Sequence, residues 1–163
     1  MEQLLSHISL TFESNGWAFA NVEGADVIEA GFEAHHGRVR LHVQGFPPLN
    51  AVSVVSQSPI RAENADHRVK IVELLMRANH ELTVGAFELD WDTGQTIFRA
   101  TNLFSRGKFD SSILTGLVES AIVEMDRLAP VLDLIAKADR SELPELDVQQ
   151  LLGREDLLPP VGD

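Results

Sequence analysis

NHELTVGAFELDWDTGQTIFR, residues 79–99, is the stretch whose reading decides the fold. A helix ends in it and a two-stranded hairpin begins within a few residues. Phe87, Leu89 and Trp91 alternate with Glu88, Asp90 and Asp92, the period of a strand with one buried and one wet face. Asp92-Thr93-Gly94 supplies the reversal, because glycine accepts positive φ and aspartate can bond turn backbone. Thr96 to Thr101 forms the return strand. Arg99 alternates with Phe98 and Ala100, so it belongs on the opposite sheet face, where Glu88 or Asp90 can pair with it across the hairpin.

Upstream, Ala62 to Leu82 reads as a helix with Val69, Val72, Leu75 or Met76, Asn79 and Leu82 on one stripe. Ile71, Leu74 and Ala78 widen that stripe beyond what one sheet face covers. The helix is therefore expected to meet something on two sides, and Ile71, Leu74 and Ala78 are the candidate protein-binding residues. Asn79, a polar amide at the helix end, is expected to bond the terminal carbonyls or to fix the turn into the hairpin.

Farther upstream, Glu2 to Glu13 places Leu4, Leu5, Ile8 and Phe12 at helical spacing, and Asn15-Gly16 stops that helix. Trp17 to Gly24 is a connector whose two aromatics fold back on the core. Asp26 to Glu33 reads as a strand, and Arg38 to Phe46 is the cleanest one, with Val39, Leu41 and Val43 inward and Arg38, Arg40, His42 and Gln44 outward. Pro47-Pro48 ends it. Asn50 to Gln57 gives a third strand, which Pro59 is expected to close.

Downstream of the hairpin, Asp110-Ser111-Ser112 caps a helix whose Ile113, Leu114, Leu117, Val118, Ala121, Ile122, Met125, Leu128 and Ala129 share a face. Pro130 should kink or interrupt it, since proline removes a helical hydrogen bond, and Val131 to Lys137 is read as a final turn that can continue it. The texture changes beyond Ala138. Residues 1–138 are read as one domain, and 139–163 as a tail, loosely ordered or docked through Leu151, Leu152, Leu157 and Leu158. Prolines and charges interrupt its apolar runs, so the tail is expected to add little to the core.

The order helix, three strands, helix, two strands, helix implies an antiparallel sheet in a two-layer α+β domain with one sheet face partly open. That order, with Arg77-Ala78-Asn79-His80 running into Leu82-Thr83-Val84-Gly85-Ala86-Phe87-Glu88-Leu89-Asp90 and then Asp92-Thr93-Gly94, resembles the YbjN family. The resemblance spans roughly Leu4 to Ala136. It implies a fold similar to type III secretion chaperones, a dimer, and a regulatory role in sensory transduction or stress response, with no catalytic residues.

Composition narrows the function classes. A chain of 163 residues suits one domain that buries roughly 70% of its unfolded surface. It has no cysteine, which removes thiol catalysis, thiolate metal sites and disulfides, and fits a cytoplasmic protein. No stretch approaches a membrane span. The net charge of −12, from 25 acidic and 13 basic residues, repels phosphate backbones, so nucleic acid is not an expected partner.

The tempting motifs have plainer readings. His35 and His36 are adjacent, but consecutive hairpin side chains point apart and no third ligand is spaced for a metal. Asp90-x-Asp92-x-Gly94 begins like a calcium loop but lacks its later ligands. No Gly-x-Ser-x-Gly elbow and no phosphate-binding glycine pattern occurs. No catalytic residue, cofactor or metal is assigned. The function expected is a non-catalytic protein-binding or chaperone-like regulatory module, acting as a homodimer with a polypeptide client. The alternatives are a small-molecule-sensing regulator, with a pocket between sheet and helices, and an enzyme without a recognisable motif.

Overall fold

The computed structural model describes residues 2–154 and 156. In chain order it contains α1 (Glu2–Ser14), β1 (Ala20–Asn21), β2 (Val27–Glu33), β3 (Arg38–Phe46), β4 (Ala51–Arg61), α2 (Ala65–Glu81), β5 (Ala86–Leu89), β6 (Gln95–Leu103), α3 (Ser111–Lys137) and α4 (Val148–Leu152). Single 3-10 turns occupy Pro47–Leu49 and Leu143–Glu145. The strands form one antiparallel sheet in the order β1-β2-β3-β4-β6-β5, and α1, α3 and α2 contact it and pack beside one another. This is the two-layer α+β arrangement, with a two-residue β1 added at one edge.

Strand alternation builds the core. Leu41, Ser56 and Phe98 lie in one row across the sheet, and Val43, Val54 and Ala100 in the next; all six are buried. Ser56 Oγ donates to the Ala121 carbonyl of α3 at 2.8 Å, so the hydroxyl on the helix side of the sheet has its partner. Leu114, Val118, Ala121, Leu128 and Ile135 of α3 complete this layer, each large aliphatic contributing about 1.5–3 kcal/mol by leaving water. The aromatics of the connector do fold back: Trp17 meets Phe12 and Phe32 edge to face, and Phe19 meets Phe12.

Five expectations are corrected. Pro59 does not close β4. The strand continues to Arg61 through a register shift between Gln57 and Arg61, where a residue without an N–H costs no ladder bond. Trp91 is not an inward strand residue; β5 stops at Leu89, and the indole is 52% exposed in the turn. The turn is held by Asp90 rather than Asp92: Asp90 Oδ1 accepts from the N–H groups of Asp92 (2.9 Å) and Thr93 (3.1 Å). These bonds hold the Asp90 carboxyl below its ordinary value. Gly94 then takes φ +72, and a Cβ there would lie 2.2 Å from the Ala62 carbonyl oxygen, so the turn needs glycine for both conformation and space.

Pro130 does not interrupt α3, which runs unbroken to Lys137. Its missing N–H would leave the Asp126 carbonyl without its helical donor. His36, in the β2–β3 turn, fills that place: its Nδ1 lies 3.0 Å from the Asp126 carbonyl, and its backbone N–H donates to Asp126 Oδ1 at 2.7 Å. The proline thus marks where the hairpin docks on the helix.

The fifth correction concerns the expectation that the tail adds little to the core. Leu143, Val148 and Leu151 are buried members of the core cluster, and both the Leu143–Glu145 turn and α4 contact α2. Leu157 and Leu158 lie outside the described residues.

Candidate interaction surfaces

Asn64 caps α2, its Oδ1 accepting from the His67 N–H at 3.1 Å. From there the helix presents two apolar faces. Ile71, Leu74 and Ala78, the candidate binding residues, are 1%, 0% and 2% exposed, together with Leu75 and His67 on the inner side. They lie inside the core and form no surface patch in this structure. Across the helix, Val69 and Met76 are 59% and 56% exposed, with half-buried Val72 between them. Spacing of i, i+3 and i+7 places these three on one outward stripe.

Part of the wide inner arc is covered by the chain's own tail. Polar ties accompany the apolar contact: the His67 ring reaches Asn64 Oδ1 and the Ala138 carbonyl, both at 2.7 Å. Lys70 Nζ donates to the Leu146 carbonyl at 3.1 Å. Arg77 donates to Gln149 at 3.0 Å, and Arg140 pairs with Asp66. Part of the breadth anticipated for α2 is therefore met within the chain, and the Val69, Val72 and Met76 stripe lies outside that part.

Asn79 closes one sheet edge. Its Oδ1 accepts from the Phe87 N–H at 2.7 Å and its Nδ2 donates to the Phe87 carbonyl at 3.0 Å. Both outward backbone groups in the middle of β5 are thereby occupied, which blocks strand addition there and welds the helix end to the hairpin. At the other edge, β1 pairs only with Ile28 and Glu29 of β2.

The sheet face away from the helices is polar. Arg38, Arg40, His42 and Gln44 of β3 line up beside Ser53, Val55 and Gln57 of β4 and Ile97, Arg99 and Thr101 of β6. Arg99 pairs with Glu88 at 3.0 Å, the hairpin ion pair anticipated above; such exposed pairs contribute about 0.2–1 kcal/mol. Thr101 donates to Ser53 at 2.9 Å. Val55 stays buried under these longer side chains. His42 is pushed below its ordinary value by burial and then by the charge of Arg99, against an opposing pull from Glu29. Sequence spacing showed Arg38 and Arg40 as a wet face but could not bring Arg61 beside them. That approach depends on the β4 pairing, which places a hollow lined by Arg38, Arg40, Gln57 and Arg61 on this face.

No family model matches the chain, and no curated protein matches it in sequence. Solved structures do. YbjN from E. coli, described as a proposed transcription regulator, superposes with a TM-score of 0.59 over 80% of this chain and 91% of that one, at 7% identity. A chain of the ExsC–ExsE complex superposes with a TM-score of 0.56, over 80% of this chain and 94% of that one, at 10% identity. The fold is the YbjN and type III secretion chaperone-like fold. At such identities the likeness establishes architecture, and function has to be argued from the surfaces themselves. No helix among the described residues is long and apolar enough to cross a membrane.

Proposed function

We propose that the protein is a non-catalytic, chaperone-like binding module of the YbjN type, which pairs with a second copy of itself through the outer face of α2 and holds a polypeptide client. The observation that carries this reading is the outward stripe of Val69, Val72 and Met76: apolar side chains on a helix whose inner face is already filled. A helix of that kind, flanked by Glu73, Arg77 and His80, has the apolar centre and charged rim of an interface. The ExsC–ExsE likeness supports a polypeptide partner, because that structure is itself a complex. The absence of cysteine suits a cytoplasmic site of action.

The same absence makes the test simple. Met76→Cys and Val69→Cys each introduce the sole thiol. Under mild oxidation of the purified chain, either one should give a disulfide-linked dimer in high yield, while Leu49→Cys, equally exposed but away from α2, should not. If both α2 variants stay monomeric, or the Leu49 control links as well, the α2 pairing is wrong.

A further inference from the structure

We propose that the open face of the sheet holds a small phosphate-bearing ligand between Arg38, Arg40 and Arg61, around Gln57. The inference is independent of the protein-binding reading. It moves the small-molecule site from the sheet–helix interface to the uncovered face.

Two adjoining hollows occupy this part of the sheet. One, of about 590 Å³, is lined by Glu29, Gly31, Arg38, Arg40, His42 and Gln57 among others. The second, of about 220 Å³, shares Arg38, Arg40 and Gln57 and adds Arg61 and Gln95. Arg61 borders only the smaller one, and the larger volume lies within the range of small-ligand sites. Its depth has a sequence cause. Gly31 stands opposite Arg40 in the β2–β3 pairing and contributes no side chain, and a Cβ there would come within 2.5 Å of Arg38 Nη2. The Arg38 guanidinium therefore lies across the glycine.

The charges do not balance locally. Arg38 is bonded to Glu33 at 2.8 Å, but Arg40 and Arg61 have no ion pair or hydrogen bond through their side chains among the described residues. Arg61 only adds to the field at Asp90, whose carboxyl already accepts from the Asp92 and Thr93 amides. Glu29 also lines the larger hollow, opposite His42 in the strand pairing and two residues from the Gly31 that faces Arg40. A chain with 25 acidic residues against 13 basic ones thus borders one hollow with three arginines and Gln57, and two of the three, Arg40 and Arg61, are unpaired among the described residues. Like charges on neighbouring strands repel, and an anion between them reverses the sign of that interaction. The net charge of −12 does not forbid this, because charges beyond roughly 8 Å are screened at physiological salt.

Guanidinium forks match phosphate and carboxylate oxygens. Phosphate fits better here, because the unpaired forks of Arg40 and Arg61 come from two strands that border one hollow, and a tetrahedral group offers oxygens in several directions where a carboxylate offers one plane. Gln57 adds an amide donor at the centre.

The test is titration of inorganic pyrophosphate into the full chain at low salt, followed by amide NMR shifts and calorimetry. Saturable shifts should appear at Gly31, Arg40, Gln57 and Arg61. Arg40→Gln and Arg61→Gln should each weaken binding about tenfold with unchanged melting temperature. Arg106→Gln, an exposed arginine elsewhere, should leave binding unchanged. No saturable shift at millimolar pyrophosphate overturns the proposal, and so does an equal loss in Arg106→Gln, which would mean diffuse charge. Citrate binding as tightly as pyrophosphate would overturn the assignment to phosphate.

Discussion

On α2, Ile71, Leu74 and Ala78 point into the core while Val69, Val72 and Met76, of the same chemistry and interleaved with them in sequence, point outward. The inner set is held between sheet, α3 and tail; in the outer set Val69 and Met76 are more than half exposed and Val72 is half-buried. Breadth of an apolar arc shows that a helix has two contacts to make. It does not show which residues make which contact, because that depends on where the sheet and the tail end up. Burial gives stability to the first set, our proposal gives association to the second, and substitutions can separate the two.

The largest effect belongs to Leu74→Glu. An unpaired carboxylate at a fully buried position costs several kcal/mol, a large share of the roughly 5–15 kcal/mol that holds a domain together. The variant should lose its cooperative thermal transition by circular dichroism, whereas Met76→Glu should melt like the wild type. A folded Leu74→Glu would reverse the assignment of the faces. Truncation after Ala138 comes next. It strips Leu143, Val148 and Leu151 from the core and should lower stability by about 4 kcal/mol or more, measured by urea unfolding. Unchanged stability would show that the inner face needs no tail.

Asn79→Ala sharpens the boundary between helix and hairpin. It removes both bonds to the Phe87 backbone and should cost about 2 kcal/mol, with faster hydrogen exchange at the Phe87 amide. If exchange there is unaltered, the edge strand is held by pairing with β6 alone.

The smallest effect transfers the comparison to β3, where Leu41 and Val43 face the helices and His42 between them faces solvent. Because burial and Arg99 lower the His42 value from 6.5, the unfolded chain binds this proton more readily. The stabilisation is complete above pH 6.5 and is lost as pH falls through the folded-state value. In an NMR titration, His42 should turn over below 6.5. Arg99→Gln should raise its midpoint and Glu29→Gln should lower it further. A midpoint indifferent to both substitutions would place His42 outside the field of this face.

The regular parts of the fold were legible because each is local. Alternation along β3, the Asp110 cap and the stop at Pro47-Pro48 follow from neighbouring residues alone. What escaped depends on contacts distant in sequence. Pro130 can sit inside a helix because His36, from another element, occupies the carbonyl it leaves free. Pro59 can sit inside a strand because β4 and β6 change register around it. Prolines and charges between the tail's apolar residues pointed to a small share of the core, with docking left open, yet Leu143, Val148 and Leu151 lie in the core and the tail packs on α2. Arg61 joined Arg38 and Arg40 only through strand pairing, so the arginine cluster had no signature in spacing.

On our proposal, α2 holds the fold with one face and joins copies with the other. Sedimentation velocity over a wide concentration range, on the wild type and on the Val69→Glu/Met76→Glu double variant, tests it most directly. The wild type should sediment as a dimer at high concentration and dissociate on dilution, and the double variant should remain a folded monomer throughout. A wild type that is monomeric at every concentration, or a double variant that still dimerises, would contradict it.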